Sequence, residues 1–279
     1  MITAHKLEKH YGDGAQRVQA LAPTDFNVYS GEFVSLVGPS GCGKTTCLFM
    51  LAGLEQPSAG TIRHNGVTVH GPGKDRGMVF QNYTLYPWLN VRENIRFSQT
   101  LRVNRNDRGV DDSVEYRIEA LLHLMGLEDF AGALPRQLSG GMQQRVAIAR
   151  ALLPKPGVLL MDEPFGALDA QTREEMQELL LLINRVERTT TVFVTHDVEE
   201  AIYLSNRVLV FSPRPGAIIA DVSIPFGVDR TSELKLDPAF ISLKQTIKQL
   251  LNKNGQRNRL SRLEQLTQSS VGEPKAKSI

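Results

Sequence analysis

Apolar runs alternate with amphipathic stretches along the chain, and their spacing predicts an order of strands and helices. Residues 6–11 and 16–29 favour strands, and residues 32–37 have the uninterrupted apolar pattern of a buried strand. A glycine-rich loop follows, and a helix is predicted over about residues 44–52. Residues 54–80 combine turn signals with short strands, so the N-terminal part of the chain is predicted to be rich in strands.

The pattern becomes helical between about residues 91 and 153. Apolar residues recur there at intervals of three and four, the spacing that places side chains on one face of a helix. The clearest such face consists of Val114, Ile118, Leu121, Leu122 and Met125. This stretch therefore predicts a helical subdomain inserted between strands.

Strands and helices alternate again after residue 153. The predicted elements are, in order, a strand at Val158–Met161, a helix at Thr172–Val186, a strand at Thr191–Val194, a helix at Asp197–Leu204 and a strand at Arg207–Phe211. Such alternation favours a mostly parallel sheet that is covered on both faces, which is the α/β class. We therefore predict one α/β domain over residues 1–225.

The segment Ser212-Pro-Arg-Pro-Gly216 ends this alternation. Beyond it the sequence predicts a short strand, a loop, one amphipathic helix near Ala239–Leu251 and a polar basic tail. We treat residues 226–279 as a short C-terminal extension, whose helix could pack on the main domain or on a partner. Residues 253–279 carry six Lys or Arg against two Glu. Such a tail is typical of a solvated end, with weak attraction to anionic lipids as the alternative.

Composition limits the classes of function. The chain has 279 residues, of which 41% are hydrophobic, enough for one large domain with a sizeable core. Its net charge of +2 gives no indication of a nucleic-acid partner. The spacing of Cys42 and Cys47 suits neither a disulfide framework nor a zinc site, which favours a reducing cytoplasm. We find no secretory signal, and no apolar run approaches the ~18 residues that span a bilayer. Any membrane role is therefore expected to come through a partner.

The loop Gly38–Thr45, with the sequence GPSGCGKT, fits the phosphate-binding pattern G-x-x-x-x-G-K-[ST]. Its glycines let backbone N–H groups turn inward towards phosphate oxygens, and the following helix adds its positive N-terminal end. Lys44 is expected to reach the β- and γ-phosphates of a nucleotide, and the Thr45 hydroxyl to ligate Mg²⁺. A chance glycine turn is the alternative, but the predicted strand before the loop and the helix after it argue against chance.

Two adjacent acids, Asp162 and Glu163, follow the apolar strand at residues 158–161. Ligands gather at the carboxyl ends of strands in open α/β sheets, so this pair is expected beside the phosphate loop. Asp162 would hold Mg²⁺, while Glu163 points differently and could orient and deprotonate an attacking water. The alternative is that both acids only mark a turn, and the phosphate loop makes this alternative the weaker one.

A second glycine turn, Leu138-Ser-Gly-Gly-Met-Gln-Gln-Arg145, is predicted to open another helix. By the same dipole argument it is another anion-binding helix N-terminus. The chain thus has two helix N-termini that can bind a phosphate, but only the first follows a loop with a phosphate-binding lysine. This suggests a nucleotide site that another subunit completes. A plain helix N-cap at Ser139 explains the same residues equally well.

These motifs together resemble those of the ATP-binding cassette (ABC) family over about residues 1–225. The residues that carry the resemblance, in the family's order, are Gly38–Thr45, Gln81, Leu138–Arg145, Asp162, Glu163, Ala167–Asp169 and His196. The resemblance implies a P-loop NTPase with a mostly parallel sheet, an N-terminal antiparallel β subdomain and an inserted helical subdomain. It also implies a head-to-tail dimer that holds two ATP molecules between the phosphate loop of one subunit and Ser139–Gly141 of the other.

The resemblance implies a role for each motif residue. The implied catalytic residues are Glu163, His196, Lys44 and Gln81. The implied nucleotide-binding residues are Tyr11, Gly38, Pro39, Ser40, Gly41, Cys42, Gly43, Lys44, Thr45, Thr46, Ser139, Gly140, Gly141, Gln143 and Asp169. The implied Mg²⁺ ligands are Thr45, Gln81 and Asp162. Tyr11 would stack on adenine, Gln81 would signal to a transmembrane partner, and Asp169 would bridge the dimer. Without the resemblance, Tyr11 would be a packing residue, Gln81 a loop amide and His196 a structural residue at a strand end.

The segment Asn82–Asn90, rich in aromatic residues and Leu, follows Gln81, and in this family the corresponding surface receives a helix of the membrane permease. Ordinary core packing of these aromatic residues is the alternative. Residues 83–88 and 212–216 resemble the nitrate, sulfonate and taurine importers of the family. The expected function is therefore ATP hydrolysis that powers import of a small solute through a separate permease.

The expected partners are a second identical or homologous ATPase subunit, the permease and, indirectly, an extracytoplasmic solute-binding protein, with no nucleic acid. The expected location is the cytoplasmic face of the inner membrane, where the chain is peripheral. A soluble ATPase switch without a permease is the alternative. A phosphotransferase is a second rival, but it leaves Leu138–Arg145 unexplained.

Overall fold

The computed structural model describes residues 1–100 and 112–253, which form two sheets, seven α-helices and several short 3-10 helices. The strands are β1 (Ile2–Tyr11), β2 (Val18–Val28), β3 (Phe33–Val37), β4 (Ala59–His64), β5 (Val67–Thr68), β6 (Arg76–Val79), β7 (Val158–Asp162), β8 (Thr190–Thr195), β9 (Arg207–Phe211) and β10 (Ile218–Ser223). The helices are α1 (Lys44–Ala52), α2 (Val91–Arg96), α3 (Asp112–Met125), α4 (Gly140–Leu152), α5 (Ala170–Glu187), α6 (Val198–Leu204) and α7 (residues 238–253).

The central sheet has six strands in the order β10-β9-β3-β8-β7-β6. All of its pairs are parallel except the one between β10 and β9. Strands β3, β7 and β8 are buried along their whole length, as expected for parallel strands with helices on both faces. The predicted α/β class with a mostly parallel sheet is therefore confirmed.

The second sheet is antiparallel and has four strands in the order β2-β1-β4-β5. It packs on α1 and the central sheet through an apolar cluster that contains Leu7, Leu21, Leu48 and Leu209. This sheet is the predicted N-terminal antiparallel subdomain. Its β2 runs past the phosphate loop, because the carbonyl oxygen of Ala20 lies 2.7 Å from the position that a Cβ on Gly43 would take. The next residue, Leu21, bridges to Gly216 beyond β9.

Helices α2, α3 and α4 lie between β6 and β7 and form the predicted inserted helical subdomain. Four of the five apolar residues predicted on one face of α3 are fully buried, and Val114 is half-buried. They share one core with α4 and α6. The part of the predicted helical stretch at residues 101–111 lies outside the described residues.

The C-terminal helix α7 packs on the main domain, which answers the question that the sequence left open. Phe240 and Ile247 are fully buried in the core that α5 and α6 share. The ring of Phe240 stacks on that of Phe226 at a centroid distance of 5.8 Å. The basic tail at residues 254–279 lies outside the described residues, and the division of the chain at residue 225 stays a prediction.

Among the boundaries that differ from the predictions, the starts of α5 and α6 differ because a capping side chain sets them. Asp169 accepts a hydrogen bond from the N–H of Thr172, so α5 begins at Ala170, two residues early. Asp197 accepts a hydrogen bond from the N–H of Glu199, so it precedes α6 rather than forming its first turn. In the described part of the chain, no helix is long and apolar enough to span a bilayer.

Candidate active site

The phosphate loop connects the buried end of β3 to the start of α1, as its sequence predicts. Gly43 caps α1 with φ of 102°, and a Cβ there would lie 2.7 Å from the carbonyl oxygen of Ala20. Only glycine fits both the left-handed backbone and this close approach. Because α1 begins immediately afterwards, its positive N-terminal end faces the loop interior.

Lys44 is 4% exposed and lies inside the loop. Its Nζ donates hydrogen bonds to the carbonyl oxygens of Gly38 at 2.8 Å and Pro39 at 3.1 Å. These bonds satisfy the buried ammonium group and hold the side chain folded over the loop. A phosphate oxygen is a stronger acceptor than a carbonyl, so the ammonium group can exchange one of these bonds for a nucleotide phosphate.

Thr45 and Asp162 meet at the junction of α1 and β7. The Thr45 Oγ1 donates a hydrogen bond of 2.9 Å to Oδ1 of Asp162. Burial raises the pKa of Asp162 above its usual value, and the Thr45 bond partly opposes that shift. The two groups offer a hydroxyl and a carboxylate oxygen, which are the hard donors that Mg²⁺ binds together with phosphate oxygens. The donor set therefore fits a magnesium ion bound with a nucleotide.

Glu163 follows β7 in a left-handed backbone conformation with φ of 42°, which is uncommon for a non-glycine residue. Its N–H donates to the carbonyl of Val194 on β8 at 2.9 Å, and its Oε2 lies 3.2 Å from Nδ1 of His196. The side chain of Glu163 is 21% exposed and that of His196 61%. The parallel pairing of β7 with β8 brings these two predicted residues together at adjacent strand ends.

A pocket of about 410 Å³ lies in front of the phosphate loop. Its lining consists of Tyr11, Val18, Ala20, Ser40, Gly41, Gly43, Lys44, Thr45, Thr46, Glu163 and Arg214. Tyr11 ends β1 opposite Val18, and Nζ of Lys9 lies 5.0 Å from the centre of its ring. The structure thus brings the predicted adenine-stacking residue, the phosphate loop and the predicted general base to one cavity.

Some predicted residues of the site do not line the pocket. They are Gly38, Pro39 and Cys42 of the loop, and Asp162 at the end of β7. The Cys42 thiol is buried, and burial raises its pKa, so it packs as an apolar group beneath the loop. A Cβ on Gly38 would lie 2.9 Å from that sulfur, which accounts for the glycine there.

The second glycine turn lies elsewhere. Ser139 caps α4 by accepting a 3.3 Å hydrogen bond from the N–H of Met142, and Gln143 donates to the carbonyls of Pro135 and Leu138. Ser139, Gln143 and the predicted Gly140 and Gly141 are absent from the lining of the pocket at the phosphate loop. Within one chain the two predicted halves of the nucleotide site are therefore separate, and the roles of these residues stay predictions.

Asp169 and Gln81 also lie outside the lining of that pocket. Hydrogen bonds from Thr172 to the Asp169 carboxylate lower the pKa of Asp169, which caps α5. The amide nitrogen of Gln81 lies 4.0 Å from the position that a Cβ on Gly166 would take, close to the turn after Glu163. Neither geometry tests the predicted roles of Asp169 in the dimer and of Gln81 as a magnesium ligand.

A buried carboxylate beneath His196 was not predicted from the sequence. Glu200 is 6% exposed, accepts a 2.7 Å hydrogen bond from Thr195, and lies 3.7 Å from Nε of Arg173. Arg173 also donates to the carbonyl of Leu168, next to Asp169. These contacts tie the strand end before His196 to the turn before α5, and only the tertiary fold reveals them.

Arg150 joins α4 to the aromatic segment after Gln81, a second connection that was not predicted. Its guanidinium donates to the carbonyls of Tyr83 and Thr84 and to the Thr84 hydroxyl, and lies over the ring of Tyr86. The helix α4, which Ser139 caps, is thus fixed to residues 83–86. The segment itself keeps Trp88 71% exposed, while Tyr86 packs on Phe97.

Comparison with known proteins gives consistent matches. The model of the ABC transporter family matches residues 21–166. The nitrate import ATP-binding protein NrtD of Synechocystis sp. is 46% identical over 240 residues, which are 84% of this chain and 88% of that protein. The aliphatic sulfonates import ATP-binding protein SsuB of Bacillus cereus is 42% identical over 256 residues, 91% of this chain and 97% of that protein.

A solved structure with a similar fold is that of a dimeric ATP-binding cassette in a post-hydrolysis state, bound to ADP and Pi. It superposes with a TM-score of 0.71 at 32% identity and covers 81% of this chain and 100% of its own. The similarity thus extends over most of both chains.

Proposed function

The chain belongs to the ABC transporter family and is an ATP-binding cassette ATPase, and we propose that it powers the import of a small solute such as nitrate, a sulfonate or taurine through a separate permease. The solute class follows the names of its relatives, which import nitrate and aliphatic sulfonates. Taurine, an aminosulfonate, is included because a further relative is named as a taurine import ATP-binding protein. A solute-binding protein outside the membrane would select the solute, because the residues that line the pocket at the phosphate loop are predicted to bind the nucleotide.

One observation carries the proposal: the pocket at the phosphate loop excludes the second glycine turn of the same chain. Ser139 caps a helix whose N-terminal end can bind an anion, yet it does not face the chain's own pocket. Two copies arranged head to tail would place each Ser139–Gly141 turn over the other copy's phosphate loop. Each nucleotide would then bind between two subunits, and hydrolysis would depend on dimer closure.

The residues around the pocket supply the groups that hydrolysis requires. Backbone N–H groups of the loop and Lys44 would bind the β- and γ-phosphates, and Glu163 would accept a proton from the attacking water. His196 beside Glu163 would hold that carboxylate and the water in line. Thr45 and Asp162 would hold Mg²⁺, which when bound neutralises charge on the phosphate oxygens. Gln81 would act as a further Mg²⁺ ligand when the dimer closes.

The aromatic segment supplies the surface that would receive the permease. A groove of about 680 Å³ lies beside it, with Tyr86, Phe97, Met78 and Phe80 among its apolar lining. Exposed Trp88 stands next to Tyr86, and aromatic residues of this kind are enriched at binding hot spots. Arg150 would carry movement of the segment to α4 and so to Ser139. Binding there would place the chain on the cytoplasmic face of the membrane as a peripheral subunit.

Purification of the tagged chain from detergent-solubilised membranes tests the proposal. A co-purifying permease, together with ATP hydrolysis that rises when the solute-binding protein and one of nitrate, a sulfonate or taurine are added, is the expected result. Glu163→Gln should abolish the rise while the permease still co-purifies. Full activity in the free chain, with no membrane protein recovered, would instead favour the soluble switch.

A further inference from the structure

The loop Ser212–Gly216 has no part in the function proposed above, yet it lies against the nucleotide pocket. It connects β9 to β10, and β9 pairs in parallel with β3, the strand that leads into the phosphate loop. The carboxyl ends of β9 and β3 therefore lie side by side. A residue just after β9 is brought to the same edge of the sheet as Gly38–Thr45.

The backbone of this loop is fixed on two sides. Gly216 accepts a 2.8 Å hydrogen bond from the N–H of Ala22 and donates one of 3.1 Å to the carbonyl of Ala20. A Cβ on Gly216 would lie 1.9 Å from the carbonyl oxygen of Cys42, so only glycine fits between β2 and the phosphate loop. The Ser212 hydroxyl donates to the carbonyl of Pro215. The loop is thus held in one position relative to the phosphate-binding backbone.

Arg214 projects from this loop into the pocket. Its Nε donates a 3.2 Å hydrogen bond to the carbonyl oxygen of Gly41, and a terminal nitrogen lies 3.4 Å from the position that a Cβ on Gly41 would take. The side chain lines the same pocket as Tyr11, Lys44 and Glu163. Among residues 1–100 and 112–253, no carboxylate forms an ion pair with Arg214.

We propose that Arg214 binds the polyphosphate chain of the nucleotide as a second side-chain cation in addition to Lys44. A guanidinium group suits this role because its planar donors match two phosphate oxygens at once. Within the described residues, the only hydrogen bond of the Arg214 side chain is the one from Nε to Gly41, so its two terminal nitrogens are available to donate to phosphate oxygens. The inference rests on the nucleotide site proposed above and adds a contact from the loop after β9.

Two other readings of the same geometry are open to experiment. Arg214 could serve only to brace the Gly41 carbonyl, in which case nucleotide affinity would not depend on its charge. It could also reach the second subunit in a closed dimer, in which case a monomer would bind nucleotide equally well without it. A phosphate contact differs from both because it affects nucleotide binding by the single chain and is partly restored by lysine.

The test is equilibrium binding of Mg-ATP and Mg-ADP to the full chain in the Glu163→Gln background, which prevents turnover. The protein is kept dilute so that it stays monomeric. Arg214→Ala is expected to raise the dissociation constants for both nucleotides about 5- to 20-fold, since it removes a charge-assisted hydrogen bond. Arg214→Lys should show a smaller loss. The matched control is Arg63→Ala, an exposed arginine on β4 that does not line the pocket, and it should stay within about 2-fold of the parent.

The measured affinities either support or overturn a contact between Arg214 and the nucleotide phosphates. Nucleotide affinity of Arg214→Ala within about 2-fold of the parent overturns the inference, whether or not the dimer is affected. A loss that lysine does not relieve at all points to bracing of Gly41 and also overturns it. Lys44→Ala is measured in parallel: if the parent binds no ATP, or if Lys44→Ala binds it normally, the nucleotide site itself is wrong. Circular dichroism of each variant confirms that a loss of affinity is not a loss of fold.

Discussion

The Nδ1 of His196 lies 3.2 Å from Oε2 of Glu163, although 32 residues separate the two in the sequence. The pairing of β7 with β8 creates this contact, because the strands end at the same edge of the sheet. The left-handed backbone of Glu163 then turns its side chain towards His196. This geometry supports the proposed role of Glu163 as a general base that the ring of His196 holds in place.

We predict that His196→Ala lowers the rate of phosphate release by about 100-fold, because Glu163 loses the group that orients it. ATP affinity should change by no more than about 2-fold. The matched control is His123→Ala, which removes an exposed histidine that pairs with Glu128 far from the pocket. A rate for His196→Ala close to that of the control would contradict the assigned role.

The raised pKa of Asp162 leads to a prediction about the thermal stability of the nucleotide-free chain. An acid whose pKa is higher in the folded than in the unfolded state weakens the fold at neutral pH, and the penalty disappears as pH falls through the folded pKa. Asp162→Asn should therefore raise the melting temperature of the nucleotide-free chain by about 2–4 °C at pH 7.5. The gain should shrink towards acidic pH, and hydrolysis should be lost.

Differential scanning calorimetry without nucleotide or Mg²⁺ measures this effect. Asp129→Asn is the control, because Asp129 is exposed and distant from the phosphate loop. If Asp162→Asn melts below the parent at pH 7.5, the carboxylate stabilises the empty site and our account of its burial is wrong.

The exposed side chain of Trp88 leads to a prediction about binding of the permease. Trp88→Ala should reduce recovery of the permease with the tagged chain by about 10-fold or more, since an exposed aromatic at an interface centre carries much of the binding energy. ATP affinity of the free chain should not change. Tyr116→Ala is the matched control, because Tyr116 on α3 is 79% exposed and lies outside the groove at Trp88. Equal permease recovery with both variants would place the docking surface elsewhere.

Burial of Phe240 predicts that α7 is part of the folded unit. Phe240→Ala should lower the free energy of unfolding by about 3–4 kcal/mol, because the ring is fully buried against Phe226. Ile241→Ala, on the exposed side of the same helix, should cost under about 1 kcal/mol. Denaturant unfolding of both variants measures the difference. A similar small loss in both would mean that α7 is only loosely attached.

The sequence predicts the fold class and the main elements well because their signals are local. Apolar runs predict the parallel strands, and the spacing of glycines with Lys44 predicts the phosphate loop before any contact is known. The boundaries of α5 and α6 depend on whether an aspartate caps the helix or joins it. That choice depends on one side-chain hydrogen bond, which a pattern of apolar residues does not report.

The contacts that the sequence did not predict are those between distant segments. Arg214, Arg150 and Glu200 are charged residues without a spacing pattern. Arg214 and Arg150 contact residues 173 and 66 positions away in the sequence, and Glu200 on α6 lies beside Arg173 on α5. The sequence marks the Ser212–Gly216 loop as a break in the alternation of strands and helices. Only the parallel pairing of β9 with β3 shows that this break lies beside the phosphate loop.

The most direct test of the account is the effect of Ser139→Asp in the Glu163→Gln background. Aspartate caps a helix about as well as serine, so α4 should remain intact, but its charge would face a phosphate of the partner's nucleotide. We expect light scattering with ATP to show the Glu163→Gln chain as a dimer of twice its 31.0 kDa mass. The Ser139→Asp variant should stay monomeric while binding ATP with unchanged affinity. Dimers that form equally well in both, or a monomer that has lost ATP binding, would contradict a nucleotide site shared between two subunits.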